Sequence, residues 1–142
     1  MKAHLTRRYR FSASHRLHSG NFSCEQNRAI YGKCNNPHGH GHNYILEVTV
    51  SGQVDGRTGM VCNLIELDDA VQSEILERFD RQNLNTLLPF AGKVPTTENL
   101  CVAIYEILQP IFHAAHLERV RLEETMMNSF EYRGKENATV SS

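Results

Sequence analysis

Two histidines separated by one glycine, His40 and His42, are the residues whose type and spacing most clearly suggest chemistry. In an extended segment, residues two apart point to the same side, so both imidazoles can converge on one metal ion. Gly39 and Gly41 allow the backbone to come close without obstruction by side chains. The pattern indicates two metal ligands on one strand, and the alternative is a histidine-rich surface turn.

A third histidine, His15, is placed on the same side by strand periodicity. Odd-numbered residues from 8 to 15 share one face of a predicted strand, and even-numbered residues from 42 to 51 share one face of the next. His15 therefore ends one stripe where His42 begins the other. Three imidazoles without an obvious fourth ligand are typical of a catalytic zinc with an open position. The sequence predicts zinc held by His15, His40 and His42.

Cys34 lies six residues before His40, beside Lys33 in a loop rich in glycine, asparagine and proline. A thiol close to a lysine and a metal ion can be partly ionised, and could then act as a base or a nucleophile. An ordinary loop cysteine and a zinc ligand are the alternatives for Cys34. The other three cysteines, Cys24, Cys62 and Cys101, are interpreted as ordinary thiols.

Two carboxylates are further candidates. Val120, Leu122 and Glu124 share a strand face, so Glu124 ends an otherwise apolar stripe and needs a hydrogen-bonding partner, such as the N–H groups of a ligand. A carboxylate at a fraying strand end facing water is the alternative. Asp80 is either a charge partner or a turn residue.

The elements that would position these groups follow an α+β order of two strands, two helices and two strands. Predicted strands cover residues 8–15, 42–51 and, briefly, 60–62. Amphipathic helices are expected over residues 64–79, after a cap at Asn63, and from Thr96/Thr97 to Ile111. The segment of residues 80–95 is longer than most connections in a compact domain, so we expect it to have a functional role. A hairpin of residues 119–125 and 130–133 closes the chain. The polar second face of the resulting four-stranded sheet and its two open edges predict self-assembly.

Composition excludes several classes of protein. The 142 residues fit one domain, and 15 lysines and arginines against 16 acidic residues lack the basic excess of a nucleic-acid clamp. No apolar run is long enough for a membrane span, and neither a secretory signal nor a disulfide spacing is visible. We expect a cytoplasmic domain over residues 1–134 with a polar tail over 135–142, and no nucleic-acid or membrane partner.

Five motifs in register resemble the 6-pyruvoyltetrahydropterin synthase family. They are FSASHRL at residues 11–17, Cys34 with HGHNY at 40–44, TGMV at 58–61, TTEN at 96–99 and Glu124-Thr125. The match runs from about residue 9 to residue 134. The six-residue spacing from Cys34 to His40 favours the tetrahydrobiopterin branch over the 6-carboxytetrahydropterin synthases.

The resemblance implies the tunnelling fold: a four-stranded antiparallel sheet with two helices on one face, closed into barrels within a homohexamer. It implies a lyase that converts 7,8-dihydroneopterin triphosphate into 6-pyruvoyl-tetrahydropterin and triphosphate. Zn²⁺ on the three histidines would act as a Lewis acid. Cys34 would be the general base and Glu124 would hold the pterin, with Thr97 and Glu98 nearby. Asp80 would reach the thiol of a neighbouring subunit.

One position departs from the family pattern. Arg81 follows Asp80 where the family has a histidine that relays protons, and arginine stays protonated. We expect slower or altered chemistry, with a 6-carboxytetrahydropterin synthase-type reaction or a weakly catalytic zinc-bearing pterin binder as alternatives. His38 could replace the relay. Lys33 and Arg16 are the nearest cations for a triphosphate, unless both are solvated surface charges.

Overall fold

A single five-stranded sheet, with strand order β3-β1-β2-β4-β5, forms the centre of the protein. The computed structural model describes residues 1–135, so nearly all of the predicted tail over 135–142 lies outside the described residues. The strands are β1 (Lys2–His15), β2 (His40–Gln53), β3 (Gln82–Asn83), β4 (His116–Thr125) and β5 (Asn128–Tyr132). All neighbours are antiparallel except β3, which pairs in parallel with β1 at Ala13 and Ser14.

The helices are α1 (Cys24–Tyr31), α2 (Leu64–Val71), α3 (Glu77–Phe79) and α4 (Thr97–Leu108). A π-helical segment, Gln72–Leu76, joins α2 to α3 without a break in the helical backbone. Asn63 caps α2 by accepting hydrogen bonds from two backbone N–H groups, and Thr96 caps α4 in the same way with one. Both predicted amphipathic helices and the predicted cap at Asn63 are therefore confirmed.

The core lies between the apolar face of the sheet and these two helical segments. The predicted helix stripe of Leu67, Val71, Ile75 and Phe79 is fully buried, as are Leu100, Ile104 and Leu108 of α4. They pack on the sheet residues Phe11, Tyr44, Leu46, Val48, Val50, Val120 and Leu122. The α+β architecture with the helices on one face is confirmed, and it follows from period-two strands facing period-3.6 helices.

Three local features differ from the prediction. Helix α1 was not expected because Asn27 is its one buried residue and no apolar stripe marks it. The predicted strand at residues 60–62 is wrong: the backbone N–H of Asp55 donates to the carbonyl of Met60, which closes the segment on itself as a turn. The two-residue β3 extends the expected four-stranded sheet by one short parallel edge.

The opposite face of the sheet is polar and partly sealed by ion pairs. Glu47 is only 7% exposed because Arg121 donates to it at 2.8 Å, and Arg119 and Arg8 approach within 3.5 Å. Within residues 1–135, β1 has no outer neighbour before Ala13, and β5 pairs only with β4. Both sheet edges are thus available for pairing with another chain. No described helix is long and apolar enough to cross a membrane.

Candidate active site

Three histidines meet at one end of the sheet, as the strand alternation predicted. His15, the last residue of β1, lies directly opposite His40, the first residue of β2. The centre of the His15 ring is 4.9 Å from that of His40 and 5.0 Å from that of His42. The ring centres of His40 and His42 are 4.6 Å apart. Antiparallel pairing of two strand ends therefore brings all three imidazoles into one cluster.

The free nitrogens of this cluster fit a metal ion. His15 Nδ1 lies 2.8 Å from the carbonyl oxygen of Pro95, which can only accept, so Nδ1 carries the hydrogen and Nε2 keeps its lone pair. His15 Nε2, His40 Nδ1 and His42 Nε2 are all buried without a hydrogen-bond partner among residues 1–135. Unpaired buried nitrogens are costly, and a shared metal ion would satisfy all three.

Burial also keeps two of the rings in the form that binds metals. Desolvation is the main effect that lowers the pKa of His15, with smaller contributions from His42 and His40, while the Pro95 hydrogen bond opposes it. Desolvation likewise lowers the pKa of His42, against the opposing influence of Glu124. Both imidazoles are therefore neutral at neutral pH, as metal coordination requires.

Cys34 approaches the cluster from the loop before β2. Its sulfur and the ring nitrogens of His15 and His40 all lie within 4.8 Å of one another. The loop is held there because Leu17, beyond the end of β1, donates its N–H to the Cys34 carbonyl at 2.7 Å. Burial, and secondly the charge of Glu124, raise the pKa of the Cys34 thiol. The thiol is positioned to touch either a metal ion or a ligand bound to it.

Glu124 reaches the cluster from β4 on the side of His42. Its carboxylate lies within 4.8 Å of nitrogens of His15 and His42, and its oxygen Oε1 is 3.1 Å from His42 Nε2 without hydrogen-bond geometry. The side chain is only 14% exposed, so the alternative of a carboxylate facing water does not hold. Thr97 donates its hydroxyl hydrogen to Glu124 Oε2. The predicted neighbours Glu124 and Thr97 are thus in direct contact.

Two further residues, Tyr44 and Pro95, belong to the histidine cluster although the motifs did not single them out as site residues. The hydroxyl of Tyr44, two residues after His42 on the same strand face, is buried and has no hydrogen-bond partner among the described residues. The carbonyl of Pro95 orients His15. Strand alternation could have placed Tyr44, whereas a backbone carbonyl from a distant loop leaves no mark in the sequence.

The remaining predicted residues lie elsewhere in the protomer. Glu98 is exposed on the first turn of α4, and no hydrogen bond or ion pair joins its side chain to another of residues 1–135. Asp80 follows α3, where its Oδ1 accepts the backbone N–H of Ser12 at 2.9 Å. Arg81 adopts a left-handed backbone conformation with φ of 60° beside a cleft of about 550 Å³. His38 is exposed, and only its backbone N–H is bonded, to Asn36. No described contact joins Asp80, Arg81 or His38 to Cys34.

Comparisons with known proteins agree with this architecture. Residues 4–135 match the family model described as 6-pyruvoyl tetrahydropterin synthase. The 6-pyruvoyl tetrahydrobiopterin synthases of Drosophila melanogaster and Homo sapiens are 46% and 45% identical, over 93% and 94% of this chain and 80% and 93% of theirs. The structure of the Caenorhabditis elegans 6-pyruvoyl tetrahydropterin synthase superposes with a TM-score of 0.90 at 38% identity, over 95% of this chain and 97% of that one.

The fold and the cluster define an α+β protein of the tunnelling fold that gathers histidine, cysteine and glutamate side chains at one end of its sheet. The chain belongs to the 6-pyruvoyl tetrahydropterin synthase family.

Proposed function

We propose that this protein is a zinc-dependent lyase of the tetrahydrobiopterin pathway that converts 7,8-dihydroneopterin triphosphate into 6-pyruvoyl-tetrahydropterin and triphosphate. The observation that carries the proposal is a cluster of three histidines with buried, unpaired nitrogens, in which His15 and His40 lie beside the Cys34 thiol and His15 and His42 lie beside the Glu124 carboxylate. A cytoplasmic location completes the proposal, supported by four cysteines that all remain free thiols.

Glu124 is the residue that binds the pterin in this proposal. Its carboxylate can accept two parallel N–H bonds from the amidine edge of a pterin ring, and such charge-assisted pairs are among the stronger hydrogen bonds. Thr97 holds one carboxylate oxygen and Tyr44 offers a buried, unpaired hydroxyl nearby. The carboxylate is therefore oriented before the ligand arrives, which lowers the entropy lost on binding.

Cys34 is the group that moves protons. Its sulfur lies beside the cluster, so the side chain of a bound substrate between Glu124 and the three histidines comes within its reach. His15, His40 and His42 would hold Zn²⁺, which would supply a Lewis acid that makes the C–H groups beside the hydroxyls of that side chain more acidic. The raised pKa of Cys34 keeps the thiol protonated in the free chain, and the positive charge of the metal ion beside it would favour the thiolate.

Asp80 and Arg81 would act on the Cys34 thiol of a neighbouring subunit. Asp80 and Arg81 lie beside Ser12 and β3, and no described contact brings them to Cys34 of the same chain. The open sheet edges and the arginine-lined polar face favour closure of several sheets into a barrel, and we propose a homohexamer of two stacked trimers with sites shared between subunits. Sedimentation at micromolar concentration tests this, and a monomer contradicts it.

Arg81 favours a second candidate function. Arginine cannot give up its proton at working pH, so the relay expected beside Asp80 is missing and one acid–base step is impaired. A 6-carboxytetrahydropterin synthase-type reaction, another pterin side-chain reaction, or binding with little turnover would be compatible with the same histidine cluster.

One incubation separates these functions. Purified protein is mixed with 7,8-dihydroneopterin triphosphate, with and without a zinc chelator, and the products are identified by mass. The lyase proposal requires 6-pyruvoyl-tetrahydropterin and free triphosphate that disappear on chelation and return when zinc is restored. A different pterin product supports the second candidate, and tight binding without any product supports a pterin binder.

A further inference from the structure

The cleft beside the histidine cluster, formed between the loop after β1, helix α1 and the turn before β2, has an unbalanced charge. It has a volume of about 690 Å³ and shares His40 with the cluster. Three cations line it, Arg16, Arg28 and Lys33, and no carboxylate is among its lining residues. No acidic group within residues 1–135 comes close enough to form an ion pair with any of the three.

This arrangement differs from the other arginine-lined clefts of the described chain. The cleft beside Arg7 and Arg8 also contains Asp68 and Asp69. The one beside Arg81 contains Asp80, and the one on the polar face contains Glu47. Each of these three clefts therefore sets at least one carboxylate beside its arginines. The cleft at His40 keeps its positive charge free, and so favours a polyanion.

One of the three cations, Arg16, is held in place by the fold. The backbone of Arg16 is clamped by Asn85, which donates to its carbonyl at 2.8 Å and accepts from its N–H at 2.7 Å. Arg16 Nε donates to the carbonyl of Asn35 at 3.1 Å, while its terminal amino groups make no hydrogen bond within residues 1–135. An anchored guanidinium with free donors loses little entropy when an anion binds.

His18 adds a neutral donor to the same cleft. Its Nδ1 lies 3.0 Å from the amide nitrogen of Asn35, which also donates to the carbonyl of Leu17. Since that nitrogen is the donor, Nδ1 accepts and the hydrogen of a neutral His18 ring is on Nε2. Gly32, with φ of 56°, turns the chain from α1 into the loop of Lys33. Helix α1, which the sequence did not reveal, contributes Arg28 to the same lining as Arg16.

We infer that this cleft binds the triphosphate chain of the substrate, with Arg16, Arg28 and Lys33 as its cations and His18 Nε2–H as a further donor. The inference rests on the proposed function, because it assigns the leaving group of that reaction to a place beside the histidine cluster. The cations would also stabilise the charge left on the phosphate oxygen when its bond to the substrate carbon breaks.

Binding of inorganic triphosphate tests the cleft without any need for turnover. The dissociation constant is measured by calorimetry at fixed ionic strength for the full-length protein as purified, for Arg28→Gln, for Lys33→Gln and for the double variant. Each single substitution is expected to weaken binding about 10-fold, since it removes a charged donor. Arg57→Gln, which removes an exposed arginine outside the cleft, is the matched control and is expected to leave the affinity unchanged.

Steady-state kinetics with 7,8-dihydroneopterin triphosphate separate the inference from the function on which it rests. Raised KM values in the two cleft variants, in parallel with weaker triphosphate binding, support the assignment. An unchanged triphosphate affinity in the double variant overturns it, even if the wild type forms the lyase product. Weaker triphosphate binding with an unchanged KM would show that the cleft takes free polyphosphate and not the substrate. If these residues bind triphosphate but the wild type forms no product, the result would support the anion site and contradict the proposed lyase function.

Discussion

His15 donates its Nδ1 hydrogen to the carbonyl oxygen of Pro95, 80 positions further along the chain, at 2.8 Å. This bond fixes the tautomer of the ring and directs its other nitrogen, which is buried and unpaired, toward His40 and His42. The connection between α3 and α4 therefore has a specific role, since it supplies the carbonyl that orients His15. The same segment holds Arg16 through Asn85.

Replacement of one imidazole should remove the metal. His40→Ala is expected to weaken zinc binding by at least about 100-fold, because even the loss of a group that only orients a ligand costs about 10- to 100-fold. Zinc content is measured by atomic emission after dialysis. His38→Ala, an exposed histidine in the preceding turn, is the matched control and should retain the metal. Equal zinc content in the two variants would contradict the assignment.

The histidine cluster was predictable because its geometry is local to two strands. Period-two alternation placed His15 and His42 on one side, and antiparallel pairing of β1 with β2 then set His15 opposite His40. The buried helix stripes were equally predictable from their 3.6-residue period. Each of these features depends only on the regular geometry of one or two elements.

Features that depend on irregular loops were not predictable. Helix α1 has no apolar stripe that the sequence could show. It is stabilised instead by a capping box between Ser23 and Gln26 and by the buried amide of Asn27. The turn at Gly32 brings Lys33 into the same cleft lining as Arg28. Backbone carbonyls and turn geometry carry no residue signature, so the cationic cleft and the role of Pro95 needed the three-dimensional structure.

Loss of the Cys34 thiol should impair turnover and leave the metal in place. Cys34→Ala is expected to lower kcat about 10²- to 10⁴-fold, the usual contribution of a general acid–base group. Zinc content and KM should change little, and both are measured on the same preparation. Cys62→Ala, which removes a half-buried thiol that takes no part in the cluster, is the control. Loss of zinc from Cys34→Ala would instead make Cys34 a metal ligand.

Neutralising Glu124 should weaken substrate binding more than it slows turnover. Glu124→Gln replaces a charged acceptor by a neutral amide, which removes about 1.5–3 kcal/mol and raises KM about 10- to 100-fold. Glu123→Gln is the matched control, because Glu123 is the adjacent residue on the opposite face of β4. Similar KM values for the two variants would remove Glu124 from the pterin site.

The contact between Asp68 and β1 should give the protein a defined loss of stability in acid. Arg7 donates two hydrogen bonds to Asp68 and Tyr9 a third, and these bonds hold the pKa of Asp68 below its ordinary value of 3.8. A carboxyl whose pKa is lower in the folded state contributes stability above the unfolded pKa and loses it as the pH falls through the folded pKa.

Asp68→Asn should therefore lower the free energy of unfolding at neutral pH by less than about 1 kcal/mol, because the pair is partly exposed. The difference from wild type should shrink below pH 3.8, where Asp68 becomes protonated in the unfolded chain. Urea unfolding of both proteins from neutral pH to below pH 3.8 measures this difference in the free energy of unfolding. Asp69→Asn, an exposed neighbour, should show no such trend, and a difference that persists in acid would contradict the linkage.

Restoring a histidine at position 81 should accelerate proton transfer. Arg81 has a φ of 60°, and histidine is among the non-glycine residues that tolerate this left-handed region, so the substitution adds little strain. If Arg81 interrupts a relay to a neighbouring Cys34, Arg81→His should raise kcat by up to about 100-fold, within the usual range of acid–base catalysis. The pH profile of kcat should also gain an inflection near the ordinary histidine pKa of about 6.5.

Arg81→Lys is the matched control for that variant. Lysine keeps the positive charge but remains protonated at working pH, so it should leave both kcat and the pH profile close to those of the wild type. A higher kcat in both variants would show that the guanidinium obstructs the site sterically. An unchanged kcat in Arg81→His would show that position 81 has no part in proton transfer, and that the arginine does not limit the rate of this enzyme.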